Sequence, residues 1–230
     1  MQAVFVCGGQ GTRLRPDHTG PKSLLPIGKS TLLAKLIPRI APYHSSRNPP
    51  VVIVDQYDAE TPRAVQHLLP SARIIRQPRP DGVANALLLA APLLDDRVLV
   101  ALGDIFVDGT FAAFDTDAGL TYWVGAPALE TVKNCGIATR PDGIVSAVIE
   151  KPTDCTGLKC GMGVYKLTRP VIAAFAGAVV EPRSGERGMT DGIHAAILAG
   201  VTFTAIPFTG YYHNVNSGAD VTAVDGYLAT

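Results

Sequence analysis

Three glycines, an arginine and a lysine gather near the start of this chain: Gly8, Gly9, Gly11, Arg13 and Lys22, within MQAVFVCGGQGTRLRPDHTGPKSLLPIG. Glycines lack the Cβ that would block close approach, so the backbone N–H groups of Gly8, Gly9, Gly11 and Thr12 can turn onto an anion. A guanidinium grips phosphate oxygens with a planar fork, and an ammonium meets them as a point charge. The chemistry indicated is the binding of a nucleoside triphosphate. A second candidate is Asp104, which closes the apolar run RVLVALGD. A carboxylate there suits Mg²⁺, which takes few protein oxygens and keeps water and phosphate ligands. A turn or helix cap is the plainer role. A third is the pair Glu150 and Lys151. Adjacent strand residues face opposite ways, so both serve one site only if the backbone twists or bulges there, as Pro152 allows.

These side chains need a scaffold, and the hydrophobic pattern supplies one. Apolar, β-branched runs predict strands over 3–7, 51–55, 72–77 and 97–104. Between them lie helices over 31–40 (with Pro38 in its second half), 60–69 and 82–94, the last with Asp81 as N-cap. This alternation predicts an α/β fold: a doubly wound, mostly parallel, Rossmann-like sheet. The second half reads differently, with strands over 120–128, 136–140, 144–150, 162–167 and 201–208, and a turn at Pro141-Asp142-Gly143. Helices are expected over 170–176, 191–198 and 218–228. One domain results, with a nucleotide-binding half over about 1–115 and a mixed-sheet half over about 116–230 for the second substrate.

Two other glycine-loop readings fit less well. A dinucleotide fingerprint has Leu14 where its third glycine belongs, and Pro16 opposes an immediate helix. Gly28-Lys29-Ser30-Thr31 resembles the end of a P-loop, but its first glycine position holds Ser23 and Pro26 lies inside the loop. A turn at Gly28, with Ser30 or Thr31 capping the next helix, explains that stretch more simply.

Composition narrows the class. The 230 residues carry 47% hydrophobic and 17% charged side chains, with 20 basic and 20 acidic residues balancing to zero. That is a well-filled core without the basic footprint of a nucleic-acid binder. No apolar run reaches the roughly 18 residues that span a bilayer. The first residues read as strand, not as a leader peptide, so a cytoplasmic protein is expected. Four cysteines, Cys7, Cys135, Cys155 and Cys160, suit a reducing compartment. Cys7 reads as core, and Cys155 and Cys160 could approach one another without forming a zinc-site spacing.

The segment GGQGTRLRP followed by PKSLLPIG resembles the signature of the sugar-1-phosphate nucleotidyltransferases, down to its arginine and lysine. QPRPDGVANAL, from Gln77 to Leu87, is similar to the second nucleotide segment in its thymidylyltransferase form. LVALGDIF, NCGIATRPDGIVSAVIEKP, MTDGI and NVNSGADV follow in the family's order, so the resemblance covers nearly the whole chain. It implies a short form without a C-terminal extension.

The resemblance implies transfer of a nucleoside monophosphate from a triphosphate to a sugar 1-phosphate, with Mg²⁺ and release of pyrophosphate. Arg13, Lys22, Asp104 and Lys151 would be catalytic. Gly8, Gly9, Gly11, Thr12, Arg13, Gln77, Pro80, Gly82 and Asp104 would bind the nucleotide. Gly136, Glu150, Lys151, Gly161 and Asp191 would bind the sugar phosphate. Thr190 or Asp191 could instead cap the following helix. Many relatives carry a second metal aspartate near the C-terminus; here Asn214 and Asn216 stand in that stretch, and both are candidate ligands. Gln77 offers a donor and an acceptor to the imide edge of uracil or thymine, which favours dTTP or UTP. Three alternatives stay open: a GTP- or CTP-using enzyme for a heptose or cyclitol, transfer to a non-sugar phosphate, and a non-catalytic sensor. For the second of these, Tyr122, Trp123, Tyr211 and Tyr212 could box a cation or pack in the core. The partners expected are the triphosphate and the sugar phosphate, with no nucleic acid and no membrane. Homo-oligomerisation is left open.

Overall fold

The computed structural model describes residues 1–8, 18–111, 134–182 and 185–230, together with the backbone of 119–124. The strands are β1 (Gln2–Val6), β2 (Pro26–Ile27), β3 (Ser30–Thr31), β4 (Val51–Asp55), β5 (Arg73–Gln77), β6 (Arg97–Leu102), β7 (Ile105–Phe111), β8 (Gly119–Val124), β9 (Cys135–Thr139), β10 (Val145–Glu150), β11 (Lys159–Thr168) and β12 (Phe203–Asn214). The helices are α1 (Leu32–Ile40), α2 (Glu60–Leu68), α3 (Val83–Ala90), α4 (Arg169–Ala174), α5 (Met189–Leu198) and α6 (Gly218–Leu228).

Ten strands form one sheet with the path β5-β4-β1-β6-β11-β8-β12-β7, and β9 links β10 to β11. The nucleotide half is parallel: β1 pairs β4 and β6, and β4 pairs β5. From β1 the chain therefore builds outward to β4 and β5 on one side and then returns to β6 on the other. The carboxyl ends of β1 and β6 flank this reversal, which is where open α/β sheets bind ligands. In the second half β11 runs antiparallel to β6 and β8, β12 antiparallel to β7, and β12 parallel to β8. The expected α/β mixed sheet is thus present, with its parallel pairs concentrated before residue 102.

Alternation within β1 shows why both faces are covered. Val4 and Val6 pack with α3, α4 and α5 through Leu87, Ile172 and Ile193. Ala3, Phe5 and Cys7 pack with Leu33, Leu36, Ile37 and Ile40 of α1. Those four positions follow the spacing of one helical face. A third cluster joins Leu25, Ile27 and Leu32 to Phe106, Val215 and Val224, and so ties β2 and α6 to the sheet edge.

Several boundaries differ from expectation for identifiable reasons. Thr31 caps α1 as anticipated, its Oγ1 accepting from the Ala34 N–H at 3.3 Å. The helix expected over 82–94 ends at Ala90 and finishes as a 3₁₀ turn over Ala91–Leu93, where Pro92 lacks the N–H that would continue it. Asp81 is not its N-cap. That position is Gly82, at φ +102, and the Asp81 carboxylate is turned to Gln77 instead. β7 was not expected, because Asp108-Gly109-Thr110 interrupts its apolar run. β12 runs six residues past the expected end at Phe208, to Asn214, through Gly210. A Cβ at Gly210 would lie 2.3 Å from Asp108 O, so this strand crossing of β7 requires glycine.

Candidate active site

A cleft of about 300 Å³ opens at the carboxyl ends of β1, β4, β5 and β6. Gly8, Asp55, Gln77 and Leu102 line it from those strands, and Pro80, Gly82 and Val83 from the start of α3. Cys135, Glu150 and Gly161 to Gly163 close it from the second half of the sheet, with Glu186, Gly188, Thr190, Tyr212 and Asn214. Seven residues expected from the sequence meet here: Gly8, Gln77, Pro80, Gly82, Glu150, Gly161 and Asn214. Gly9, Gly11, Thr12 and Arg13 lie outside the described residues.

At one end, Gln77 is buried at 5% exposure. Its Nε2 donates to Asp81 Oδ1 at 2.6 Å and to Gly82 O at 3.1 Å. Gly82 is held against Arg187: a Cβ there would lie 2.1 Å from Arg187 O, which accepts from the Ala84 N–H. Gly8 lies beside Gln77 Oε1, 3.3 Å from where its Cβ would be.

Beyond Asn214, and outside the cleft lining itself, three polar side chains converge. Lys22 Nζ donates to Asp104 Oδ2 at 2.9 Å and to Asn216 Oδ1 at 2.6 Å. Lys22 sits on a 3₁₀ turn pinned to α2 by the buried pair Ser23 Oγ and Thr61 Oγ1, 3.1 Å apart. Val215 N–H donates to Asp104 O, which fixes the chain just after β12 against the turn between β6 and β7. Asp220 then sets the position of Asn216, its Oδ2 accepting from the backbone N–H groups of Asn216 and Ser217 at 2.8 Å. Its Oδ1 meets His213 Nε2 at 2.9 Å. Burial pushes the Asp220 carboxyl up, but these hydrogen bonds together outweigh it and hold the group below its ordinary value.

Two oxygens at this end are buried and meet no donor among the described residues: Asp104 Oδ1 and Asn214 Oδ1. Buried acceptors without partners are costly, about 1–3 kcal/mol each, unless something else binds them. One carboxylate and two amide oxygens form a hard-oxygen set that fits Mg²⁺. Among the described residues no cluster of three or more His, Cys, Asp or Glu side chains exists, so a softer or all-protein metal cage is not offered there.

At the end of β10, Glu150 and Lys151 do come together. Lys151 has φ +48, the sole positive value at a non-glycine position among the described residues. This left-handed step turns its side chain to the same side as Glu150, and Lys151 Nζ lies 3.1 Å from Glu150 Oε1. A non-glycine residue in that conformation costs about 1–3 kcal/mol, and such strain concentrates at functional sites. Both side chains are more than half exposed, so the ion pair leaves them open to other partners. Gly161 is close-packed, with a Cβ placed 2.6 Å from Cys135 Sγ.

Two sequence candidates are placed differently. Gly136 does not line the cleft; its missing side chain makes room for Leu158 Cδ1, 2.6 Å from a Cβ there. Asp191 takes the capping role, its Oδ2 accepting from the Gly188 N–H at 2.9 Å, and Thr190 is the residue that faces the cleft. Of the aromatic residues, Tyr212 lines the wall while Tyr211 stacks on Tyr227 with centroids 3.9 Å apart. The side chains of Tyr122 and Trp123 lie outside the described residues. Burial raises the Tyr212 phenol well above its usual value. Asp55, Asn134 and Glu186 line the cleft without having stood out in sequence; Asn134 opens a recognised segment, while nothing local marks Glu186.

The doubly wound sheet and a cleft at its switch point define an α/β protein with a ligand cleft in the place open sheets of this kind offer one. The family model described as nucleotidyl transferase matches residues 2–225, and the chain belongs to that family of enzymes. It is 25% identical over 232 residues to the bifunctional protein GlmU of Methanocaldococcus jannaschii, covering 99% of this chain and 54% of that protein. It is 30% identical over 239 residues to a glucose-1-phosphate thymidylyltransferase of Streptomyces antibioticus, covering 98% of this chain and 65% of that one. The chain thus spans about half to two thirds of the length of these curated relatives. In fold it is similar to a UDP-glucose pyrophosphorylase complexed with UDP-glucose, with a TM-score of 0.77, 17% identity, and coverage of 99% of this chain and 98% of the other. No helix among the described residues is long and apolar enough to cross a membrane.

Proposed function

We propose that this chain transfers a nucleoside monophosphate from dTTP or UTP to a sugar 1-phosphate, forming a nucleoside diphosphate sugar and releasing pyrophosphate. The observation that carries this reading is the placement of Gln77 and of the Lys22–Asp104–Asn216 group around one sheet reversal, in and beside one cleft. A nucleotide with its base at Gln77 would direct its phosphates along the end of β1 toward Lys22.

In this reading Gln77 Oε1 accepts the N3–H of uracil or thymine. Cytosine presents a lone pair at that atom and would meet acceptor with acceptor, a mismatch that buried polar sites reject strongly. The backbone of Gly8, Gly9, Gly11 and Thr12 cradles the triphosphate, and Arg13 holds its β- and γ-phosphates. Glu150 accepts from sugar hydroxyls, and Lys151 holds the sugar phosphate. One oxygen of that phosphate attacks the α-phosphorus, the bond to the β-phosphate oxygen breaks, and pyrophosphate carries away the electron pair. Lys22 offsets charge gathering on the α-phosphate, so the protein's work is positioning and electrostatics. Asp104, Asn216 and Asn214 are the residues that would hold Mg²⁺, which when bound supplies charge neutralisation to the phosphate oxygens.

The test is pyrophosphate release from a matrix of triphosphates and sugar 1-phosphates, with Mg²⁺ present. Release with dTTP or UTP and at least one sugar phosphate supports the reading. Tight nucleotide binding without release from any pair refutes it and favours a sensor.

A further inference from the structure

Gln77 alone does not decide which of its two polar atoms meets a ligand; its neighbours do. An amide nitrogen has two hydrogens, and here both are engaged, by Asp81 Oδ1 at 2.6 Å and Gly82 O at 3.1 Å. Both partners only accept, the first as a carboxylate and the second as a backbone carbonyl. Rotating the amide by half a turn would set Oε1 against two acceptors and strand two donors. The orientation is therefore determined by chemistry, and Oε1 is turned toward Gly8. Among the described residues, the hydrogen bonds of the Gln77 amide all run through Nε2.

Asp81 is itself held firmly. Its N–H donates to Arg79 O at 2.8 Å, and its carbonyl accepts from the Arg187 N–H at 2.8 Å and from Asn85 Nδ2 at 3.0 Å. Three residues of chain separate it from Gln77, and the intervening turn carries Pro80 into the cleft wall. The carboxylate thus acts as a fixed acceptor behind the amide rather than as a ligand contact, since Asp81 is not among the cleft-lining residues.

We infer that Asp81 is a positioning residue for base choice: it locks the Gln77 amide so that the cleft is offered a carbonyl oxygen and no N–H. This rests on the reading of Gln77 as the residue that meets the base. An acceptor-only presentation matches a pyrimidine with N3–H and opposes one with a lone pair at N3. Replacing Asp81 by alanine relaxes the lock, because one of the two acceptors that hold Nε2 is removed. The Gln77 amide is then held by Gly82 O alone and is free to present Nε2 to the cleft as a donor in part of the population. An asparagine keeps an acceptor oxygen at the same place and preserves the lock.

The experiment measures dissociation constants for UTP and CTP by calorimetry on the full chain, for wild type, Gln77→Ala, Asp81→Ala and Asp81→Asn. The inference expects wild type to prefer UTP. Asp81→Ala should narrow the UTP-to-CTP ratio several-fold, through weaker UTP and stronger CTP binding, and Asp81→Asn, which keeps the acceptor, should restore it toward wild type. A merely structural role for Asp81 would weaken both nucleotides together and leave the ratio unchanged. If Gln77→Ala collapses the ratio and Asp81→Ala keeps it, the Asp81 inference is overturned while the Gln77 reading stands. If wild type shows no preference, or Gln77→Ala keeps it, the Gln77 reading fails and takes this inference with it.

Discussion

Replacing Lys22 with methionine removes one ammonium and little volume, and the structure allows the effect to be worked out. Nζ makes two hydrogen bonds, at 2.9 Å to Asp104 and 2.6 Å to Asn216, from a side chain 16% exposed. Hydrogen bonds to charged groups are worth about 1.5–3 kcal/mol when buried. The Asp104 side chain is 31% exposed, so solvent recovers part of that loss. A net destabilisation of ~2 kcal/mol is expected, about 4–8 °C in melting temperature for a chain of this size. The same change removes the cation proposed to face the α-phosphate, which should slow turnover about 10²–10³-fold. Calorimetric melting in EDTA, with and without added Mg²⁺, and steady-state pyrophosphate release are the assays. Mg²⁺ should raise the melting temperature of Lys22→Met more than that of wild type, because Asp104 and Asn216 have lost their resident cation. A variant that melts with wild type, gains nothing extra from Mg²⁺ and turns over normally would refute the reasoning.

Gly82→Ala should cost well over ~2 kcal/mol, since it combines φ +102 with a Cβ 2.1 Å from Arg187 O. Gly143→Ala, at φ +82 with open space around it, should cost only about 1 kcal/mol; denaturant midpoints that rank these two the other way would contradict the packing described for Gly82. Burial pushes the Cys7, Cys135 and Cys160 thiols from 9.0 up to about 12. The unfolded chain then loses these protons before the folded one, so their contribution to stability is full below pH 9 and declines as pH rises toward about 12. Unfolding curves across that range should show the loss, and a stability flat to pH 11 would count against it.

Much of this was legible in sequence where a signal is local. The β-branched runs that became β1, β4 and β6 are buried on both faces and read as continuous apolar strands, while β5, at the sheet edge, is half-exposed. The glycine, arginine and lysine segment, the Gln77 segment and Asp104 announce themselves by type and spacing, and Gln77, Lys22 and Asp104 are set at or beside one cleft. What stayed hidden depends on contacts across the fold. Asp81 has the composition of a helix cap, and only the proximity of Gln77 reveals its other use. Gly136 sits in a recognised segment, yet its smallness serves Leu158. β7 is interrupted by Asp108 and Gly109, and becomes a strand because β12 pairs along its whole length. The joint direction of Glu150 and Lys151 needed the left-handed backbone at Lys151, which no residue type at that position foretells.

The central claim is tested most directly by measuring pyrophosphate release across dTTP, UTP, GTP, CTP and ATP, each paired with a panel of sugar 1-phosphates in the presence of Mg²⁺. The account predicts release with dTTP or UTP in combination with a sugar phosphate, and much slower release with CTP. Release confined to CTP or GTP would contradict the base reading at Gln77, and no release from any pair would contradict the proposed transfer itself.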